Sequence, residues 1–338
     1  MQRIVITGGA GFAGSHIVDK FQQRYPTSEI IVFDRMTYAG DVRNLMPHLV
    51  SGRVRLVVAD VAELDACMRI VEGADLVVHA AAESHVDNSF GNSREFTRTN
   101  VLGTHCLVEA CRAQRVPRII HISTDEVYGE VMEGAADEEG LLNPTNPYSA
   151  SKAAAEMIIR GYIRSFDAQV LLIRANNLYG IRQYPEKIIP RFICHMLLDR
   201  KLPLHGDGKA RRHYLSARDF ADAVVLLAER GEIGQTYNVG TTEEYTNHEI
   251  ASLVAQSFGR KPEEVIEYVS DRPFNDSRYS ISWDKLARMG WAPRRRLATD
   301  LSGLVDWFQD NLDRYATLLD IPPRQRIAHP VLVPERAA

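Results

Sequence analysis

The sequence predicts an α/β fold in which a doubly wound parallel sheet is followed by a smaller C-terminal α/β domain. Short apolar runs alternate with helical patterns through residues 1–180, which is typical of successive β/α units. The first apolar run leads at once into a glycine-rich turn and then a helical pattern. The chain has 338 residues, enough for about two domains. We place these domains at residues 1–180 and 181–315, with a tail at 316–338.

The composition narrows the classes of protein and partner. With 45% hydrophobic and 25% charged residues, the chain can bury an ordinary globular core. A net charge of -4 gives no electrostatic reason to expect nucleic acid or an anionic membrane as a partner. No apolar run is long enough to span a bilayer, and no secretory leader precedes the first apolar run. We therefore expect a cytoplasmic protein without processing.

The cysteines show neither metal-ligand nor redox spacing. Cys67, Cys106, Cys111 and Cys194 contain no CxxC pair, and three of them fall in apolar or helix-like stretches. Free thiols in a reducing compartment are therefore expected rather than disulfides. No metal site is expected.

The turn TGGAGFAGS at residues 7–15 lies between the first apolar run and a helical pattern. In this context glycines let the backbone approach a pyrophosphate, whose charge is met by the helix N-terminus. The spacing of Gly8, Gly11 and Gly14 is looser than GxGxxG, so the prediction depends on the flanking elements. We interpret this segment as the first unit of a Rossmann dinucleotide-binding sheet.

The second predicted strand, residues 30–33, ends in Asp34, twenty residues beyond Gly14. An acid at this place binds the adenosine ribose hydroxyls and repels a 2′-phosphate. Arg35 follows directly and could instead favour NADP. We predict NAD.

The third and fourth predicted strands also end in residues suited to a dinucleotide. Residues 54–58 lead to Asp60 and Val61, which would contact the adenine ring, although an acid after a strand is as often a helix cap. Residues 76–79 lead to three alanines at 80–82. Their small side chains would let the cofactor lie against the backbone, or would equally allow close helix packing.

A further strand, residues 118–122, carries the segment STDEVYG at residues 123–129. Asp125 and Glu126 therefore follow a buried strand directly, at the edge where parallel sheets bind ligands. The alternative is that both acids only favour a helix N-terminus through the helix dipole.

Tyr148 and Lys152 are four residues apart at the start of a helical pattern, so both side chains face one side. A lysine beside a phenol favours the phenolate, and we expect it to lower the pKa of Tyr148 toward that of a usable base. Because this pair accompanies the two acids, we favour catalysis over a role in helix capping. A strand at residues 170–173 continues the sheet.

After about residue 180 the loops become rich in cations. Residues 183–187, 206–212 and 271–279 each combine Lys or Arg with turn residues. A single such loop is usually only a solvated surface, but three of them downstream of a dinucleotide fold favour binding of a diphosphate. We therefore expect the C-terminal domain to bind the substrate.

Two amphipathic helices are predicted in the C-terminal domain, at residues 243–258 and 302–312. From about residue 322 the tail is rich in Pro, Arg and Ala, and we expect poor order there.

These motifs together resemble the extended short-chain dehydrogenase/reductase superfamily, and within it the nucleotide-sugar 4,6-dehydratases of the dTDP-glucose and UDP-glucose type. The resemblance extends from residue 1 to about residue 312. It rests on TGGAGFAGS, AAESHVD, STDEVYG, YSASK, QYPEKIIP and DRPFNDSRY, which occur in the family's order. Related 4-epimerases and decarboxylases share the Tyr and Lys but generally lack the Asp-Glu pair of STDEVYG.

The resemblance implies roles for individual residues. It implies that NAD contacts Gly8, Gly11, Phe12, Ala13, Asp34, Asp60, Val61, Ala80, Ala82, Thr99, Tyr148, Lys152 and Asn177. It implies that the nucleotide sugar contacts Ser84, Thr124, Glu186, Lys187, Ile188, Arg212, Asn247, Arg272, Asn275, Arg278 and Tyr279. It implies that Thr124, Asp125, Glu126, Tyr148 and Lys152 are catalytic.

By this resemblance we hypothesise that an NDP-glucose loses water to give the 4-keto-6-deoxy sugar. The base stays open between dTDP and UDP, because HVDNSFGNSREFT resembles the plant UDP-glucose dehydratase domains more than the bacterial dTDP-glucose enzymes. Two other functions stay open, a sugar 4-epimerase and a catalytically silent NAD-binding scaffold. The resemblance further implies a homodimer, paired through helices at residues 100–112 and 150–166.

Overall fold

The computed structural model describes residues 1–271 and 276–320, together with the backbone of a two-residue strand near the C-terminus. The strands are β1 (Arg3–Thr7), β2 (Glu29–Asp34), β3 (Val54–Val58), β4 (Leu76–His79), β5 (Ile119–Thr124), β6 (Val170–Ala175), β7 (Asn177–Tyr179), β8 (Leu202–His205), β9 (Arg211–Ser216), β10 (Thr236–Val239), β11 (Glu244–Thr246), β12 (Ile266–Val269) and β13 (Glu335–Arg336). The predicted substrate residues Arg272 and Asn275, and most of the predicted tail, lie outside the described residues.

The helices alternate with these strands through the first half of the chain. They are α1 (Phe12–Arg24), α2 (Met46–Val50), α3 (Leu64–Val71), α4 (Val86–Gly91), α5 (Ser93–Phe96), α6 (Gly103–Ala113), α7 (Pro147–Phe166), α8 (Ile188–Leu197), α9 (Ala217–Arg230), α10 (Asn247–Ser257), α11 (Pro262–Val265), α12 (Asp284–Ala287) and α13 (Leu297–Asp310). A π-helical turn, Thr97–Leu102, leads into α6, and a 3₁₀ turn, Asp125–Tyr128, follows β5.

The main sheet has the strand order β10-β6-β5-β4-β1-β2-β3-β13. All of its strand pairs are parallel. The order reverses between β1 and β4, and in such sheets a crevice opens there at the carboxyl ends of the strands. The predicted doubly wound parallel sheet is confirmed.

The apolar residues of β1 show why the sheet is covered on both faces. Ile4 and Ile6 pack into one core, which includes Phe21 of α1 and Phe220 of α9. Val5, between them, points into the opposite core. Successive side chains of a strand point to opposite faces, so a continuous apolar run requires burial on both sides.

A third core lies in the C-terminal half, where α8, α10 and α13 pack together. Two small sheets adjoin it, in the orders β11-β9-β7 and β12-β8. The chain also returns to the large sheet, because β10 pairs with β6. The predicted division at residue 180 therefore stays a prediction. The structure adds that β10 belongs to the first sheet and that α9 packs into the core on one face of it.

The two helices predicted for the C-terminal half exist with different boundaries. The first begins at Asn247 rather than at residue 243, because residues 244–246 pair with β9. Thr246 then caps the helix in a reciprocal capping box with Glu249. The second begins at Leu297, five residues before the predicted start.

Within the described part of the chain, the four cysteines are free thiols. No helix there is long and apolar enough to cross a membrane. In the same residues, no group of three or more His, Cys, Asp or Glu side chains is placed to hold a metal ion.

Candidate active site

A cavity of about 400 Å³ opens at the carboxyl edge of the main sheet. The turn between β1 and α1, the end of β5 and the start of α7 all contribute to its wall. Every residue predicted to contact the cofactor lines it, namely Gly8, Gly11, Phe12, Ala13, Asp34, Asp60, Val61, Ala80, Ala82, Thr99, Tyr148, Lys152 and Asn177. The fold therefore brings this predicted set together in one place.

The glycine turn is shaped as a diphosphate-binding turn requires. Gly8 has φ +67, and a Cβ there would lie 2.7 Å from the backbone of Ala81. A Cβ on Gly14 would lie 2.1 Å from the carbonyl oxygen of Gly8. Gly11 is the N-cap residue of α1 and has no side chain that could cap the helix. The amide N–H groups of the first turn therefore receive no side-chain acceptor from the N-cap position. These groups suit the phosphates of a dinucleotide.

Asp34 is held rigidly at the end of β2. Its Oδ2 accepts a hydrogen bond from the Ala10 amide at 3.0 Å, and its Oδ1 accepts one from the Met36 amide at 2.8 Å. Burial raises the pKa of this carboxyl group, and the two amides oppose that rise. A fixed, mostly buried carboxylate is the acceptor that the two ribose hydroxyls of NAD need.

The acid pair lies where β5 ends. Asp125 accepts hydrogen bonds from Asn176 Nδ2 at 2.8 Å and from Thr124 Oγ1 at 3.2 Å. Glu126 accepts one from Asn146 Nδ2 at 3.3 Å. Glu126 lines the cavity, whereas Asp125 is 2% exposed and is not among the lining residues. Each acid therefore has its own amide partner.

The electrostatic surroundings separate the two acids. Burial, followed by the charge of Glu126, raises the pKa of Asp125 to about 7. Burial also raises the pKa of Glu126, but Lys187 and Arg212 oppose that rise. Asp125 thus favours its protonated form. Arg212 acts on both acids, and Lys187 acts in addition on Glu126. Two carboxyl groups separated in this way suit an acid and a base.

Tyr148 and Lys152 lie on the first turns of α7, as predicted. Asn146 caps that helix in a capping box with Ser149, which fixes where it begins. The Nζ of Lys152 donates a hydrogen bond to the carbonyl oxygen of Ile122 at 2.7 Å, and burial lowers the pKa of Lys152 to about 8.

The expectation that Lys152 lowers the pKa of Tyr148 does not hold for the chain alone. Burial, and then the charge of Glu126, raise the pKa of the phenol, and a hydrogen bond with Thr124 only partly offsets this. The physical reasons are that the phenol is buried and that the site holds two carboxyl groups, while the Lys152 ammonium group is bound to a backbone carbonyl.

Most of the residues predicted to bind the nucleotide sugar also line the cavity. They are Ser84, Thr124, Glu186, Lys187, Ile188, Arg212, Asn247 and Tyr279. The Nζ of Lys187 donates to the carbonyl oxygen of Ser84 at 2.7 Å. The Arg212 guanidinium lies over the Tyr279 ring at 4.4 Å and donates to the carbonyl oxygen of Asp276 at 2.8 Å.

Arg278 is different, because its guanidinium is bound away from the cavity. It donates to Glu244 at 2.6 Å and to the carbonyl oxygens of Val131 and Gly134 at 3.0 Å. Among the described residues predicted to bind substrate, Arg278 alone does not line the cavity. Its proposed contact with substrate stays a prediction.

Two residues that hold the acids in place, Asn146 and Asn176, were absent from the predicted set. Asp276 also lines the cavity, with one oxygen bound to Thr145 Oγ1 at 2.8 Å. The other oxygen of Asp276 is buried and has no hydrogen-bond partner among the described residues. A sequence signal existed for Asn146, because Asn before Pro147 is typical of a helix N-cap.

Comparison with known proteins places this geometry in a family. A model of the NAD dependent epimerase/dehydratase family matches residues 4–240. The trifunctional UDP-glucose 4,6-dehydratase/UDP-4-keto-6-deoxy-D-glucose 3,5-epimerase/UDP-4-keto-L-rhamnose-reductase RHM2 of Arabidopsis thaliana is 44% identical over 316 residues. That match covers 92% of this chain and 47% of the plant protein, so the chain spans about half the length of that relative.

Solved structures agree in fold over nearly the whole chain. The crystal structure of DesIV, a dTDP-glucose 4,6-dehydratase from Streptomyces venezuelae solved with NAD bound, has a TM-score of 0.90 at 38% identity and covers 92% of this chain and 98% of its own. A UDP-glucose 4-epimerase from Thermotoga maritima has a TM-score of 0.84 at 27% identity and covers 92% of this chain and 100% of its own. The chain belongs to the NAD dependent epimerase/dehydratase family.

Proposed function

We propose that the chain is a nucleotide-sugar 4,6-dehydratase, a lyase that converts dTDP-glucose or UDP-glucose to the 4-keto-6-deoxy sugar and water. The observation that carries this proposal is the pair of buried, neighbouring carboxyl groups of Asp125 and Glu126, whose charges both act on the Tyr148 phenol. Loss of water across C5 and C6 of a hexose needs a base and an acid. Two carboxyl groups with different proton affinities supply them.

The first step is oxidation at C4, for which NAD supplies the hydride acceptor when bound and, later, the hydride donor. Tyr148 removes the proton of O4, and Thr124, which is hydrogen-bonded to the phenol, positions that oxygen. Lys152 adds a positive charge on the same face of α7. Oxidation comes first because a carbonyl group at C4 acidifies the C5 proton.

The second step is elimination. Glu126 takes the proton from C5, and the nearby charges of Lys187 and Arg212 stabilise its ionised form before the step. Asp125 donates its proton to O6, which leaves as water. Bound NAD, reduced in the first step, would supply the hydride that C6 then needs, and a proton would return to C5. The cavity must exclude water while the unsaturated sugar is present.

The binding roles follow the position of each group in the cavity. Residues 1–180 hold NAD, and residues 181–315 mainly hold the nucleotide sugar. Arg212 and Lys187 are the cations that residues 181–315 contribute to the cavity, and a guanidinium matches the forked oxygens of a diphosphate. Glu186 and Asn247 add polar groups to the same wall.

A sugar 4-epimerase is the second candidate, and the likeness to the Thermotoga maritima enzyme favours it. An epimerase needs oxidation and reduction at C4, for which Tyr148 and Lys152 suffice. It has no use for an acid and a base aimed at C5 and C6. A silent NAD-binding scaffold would need none of the four groups, so the acid pair argues for the dehydratase over both alternatives.

We propose further that the protein acts in the cytoplasm as a homodimer. The exposed face of α7 carries Ala150, Met157 and Gly161, which recur at helical spacing, and Leu102 is exposed at the start of α6. An apolar stripe of this kind suits pairing with a second copy of the same helices.

The proposal is tested by incubating the purified protein separately with dTDP-glucose, UDP-glucose, CDP-glucose and GDP-mannose and measuring product masses. We expect loss of one water from dTDP-glucose or UDP-glucose, and the reactive nucleotide identifies the base. If all four sugars keep their mass while the C4 epimer forms, the epimerase is correct. If neither product forms, the dehydratase proposal is wrong.

A further inference from the structure

Four charged side chains form a closed ring at the adenosine end of the cavity. Arg35 is hydrogen-bonded to Glu95 and lies 3.4 Å from Asp60. Arg98 lies 2.8 Å from Asp60 and 3.6 Å from Glu95. Two cations therefore alternate with two carboxylates, and the formal charges of this Arg35 ring cancel.

The Arg35 ring determines whether the Arg35 guanidinium can bind a phosphate. Arg35 lines the cavity directly after Asp34, which is where dinucleotide folds that accept NADP place a cation for the 2′-phosphate. Here the hydrogen bond to Glu95 is the largest contribution that raises the pKa of Arg35. The negative charges of Asp60, Glu95 and Glu83 raise it further. The guanidinium is thus already neutralised by protein groups.

We propose that Glu95 is a second determinant of cofactor specificity, which favours NAD over NADP by occupying Arg35. Asp34 repels a 2′-phosphate directly, whereas Glu95 withholds the cation that would attract it. Glu95 lies on α5, sixty residues from Arg35 in sequence, so no local sequence motif indicates this role. The inference rests on the NAD site proposed above.

Glu95 is a better test position than Asp60. Asp60 also accepts a hydrogen bond from the Ala62 amide at 2.8 Å and is one of the residues proposed to bind the cofactor. Without Glu95, Arg98 keeps its 2.8 Å contact with Asp60, and Arg35 keeps only a longer one. Its Nη1 donors then become available to a phosphate, for which a guanidinium is well shaped.

The test compares binding of NAD⁺ and NADP⁺ to cofactor-stripped wild type and to the Glu95→Ala variant by isothermal titration calorimetry. We expect Kd for NADP⁺ divided by Kd for NAD⁺ to fall by about tenfold in the variant, with the NAD⁺ affinity little changed. The NADP⁺ affinity of the variant should also become more dependent on salt, because a new ion pair forms. Adding Arg35→Ala to Glu95→Ala should restore the wild-type ratio.

The matched control is Glu109→Ala, which removes a partly exposed carboxylate paired with Arg112 on α6. Its ratio should equal that of wild type. If Glu95→Ala melts at the wild-type temperature, binds NAD⁺ and keeps the wild-type ratio, the role of Glu95 is refuted. If wild type binds neither dinucleotide, the proposed NAD site fails and this inference fails with it.

Discussion

The acid pair depends on the amide groups that hold it. Asn176 donates to Asp125 and Asn146 donates to Glu126, so each carboxyl group is fixed by a different element of the fold. Thr124 caps the turn by accepting a hydrogen bond from the Glu126 amide at 3.3 Å. Because the two acids are fixed separately, changing one should leave the other in place.

Glu126→Gln should stop elimination while leaving cofactor binding and oxidation at C4 intact. The amide keeps the shape of the side chain but cannot take the C5 proton, and loss of a general base typically costs about 100- to 10,000-fold in rate. We expect reduced nicotinamide to accumulate on mixing with substrate, measured by its absorbance. Exchange of the C5 proton with deuterated solvent should be lost. Full dehydratase turnover in this variant would refute the role of Glu126 as base.

Asp125 should impose a decline of activity at high pH. Burial and the charge of Glu126 raise the pKa of its carboxyl group to about 7, so the proton needed by O6 is present below that pH and lost above it. We expect kcat/KM for dehydration to fall by about tenfold per pH unit above this value. Asp125→Asn should be slow at every pH and lack this decline. If the variant keeps the wild-type profile, the decline belongs to another group.

The raised pKa of Asp125 also makes the free energy of unfolding depend on pH. The carboxyl group binds its proton more tightly in the folded state, since its ordinary pKa is 3.8. Its favourable contribution to folding is therefore complete below that value and is lost as pH rises to about 7.

Residue types and spacing predicted which side chains meet at the site, but not what each of them touches. Lys152 lies beside Tyr148 as the four-residue spacing requires, yet it is bound to the carbonyl oxygen of Ile122. Arg278 belongs to a motif rich in cations, yet it binds Glu244. These partners come from distant parts of the chain, so no local pattern specifies them.

At the scale of elements, a buried ion pair joins α7, β6 and the 3₁₀ turn Asp125–Tyr128. Arg174 Nη2 donates to Glu156 at 2.7 Å, and the two side chains are 1% and 0% exposed. Arg174 Nη1 also donates to the Tyr128 hydroxyl at 2.6 Å, which donates in turn to Asn238 at 2.9 Å. The helix that carries Tyr148 is thereby fixed to the turn that carries the acids.

Glu156→Gln should destabilise the protein by about 3–5 kcal/mol, because it leaves the Arg174 charge buried without a counter-ion. Urea unfolding followed by circular dichroism measures the free energy of unfolding. Replacing both residues by methionine should recover much of the loss, since an apolar pair of similar volume removes the uncompensated charge.

The control for this variant is Glu109→Gln on α6, whose partner Arg112 is exposed. Exposed pairs contribute little, so we expect almost no change. A loss below about 1 kcal/mol for Glu156→Gln would show that Arg174 finds other partners on losing it.

A second network, of hydrogen bonds, joins α7 to the cavity wall that is proposed to hold NAD. Asn100 donates to the carbonyl oxygen of Glu83 at 3.0 Å and to Ser151 Oγ at 2.8 Å, and Ser151 donates to the carbonyl oxygen of Tyr148 at 2.7 Å. Glu83 follows the alanines that line the cavity. The wall proposed to hold NAD and the helix with the proposed base are therefore positioned together.

Element types were predictable from periodicity, whereas element ends depended on capping and pairing. Apolar runs located β1 to β6 of the main sheet, but not β10 or β13. A strand buried on both faces has to be apolar throughout. The helix at Asn247 begins later than its amphipathic pattern, since β11 takes the preceding residues into a sheet. Pairing across the chain cannot be deduced from one segment.

At the scale of the molecule, the sheet order explains why residues so distant in sequence meet. The reversal between β1 and β4 brings the glycine turn, the alanines after β4 and the end of β5 to one crevice. The strand alternation made this fold predictable. The return of the chain to the first sheet at β10 was not predictable, because no change in composition marks it.

The homodimer proposal makes a prediction for the whole molecule. Met157 is 50% exposed on the outer face of α7, between exposed Ala150 and Gly161. A carboxylate at this position would have to be buried in an apolar interface without a partner, which is unfavourable. Met157→Glu should therefore sediment as a monomer of 38.0 kDa, while wild type sediments at twice that mass. Sedimentation velocity at several concentrations measures both.

Leu141→Glu is the matched control, because Leu141 is 89% exposed and belongs to a loop rather than to α6 or α7. It adds the same charge and should leave the dimer intact. If Met157→Glu remains dimeric, the two copies pair through another surface. A wild-type protein that sediments as a monomer at all concentrations would contradict the dimer itself, and the exposed stripe on α7 would then need a different occupant.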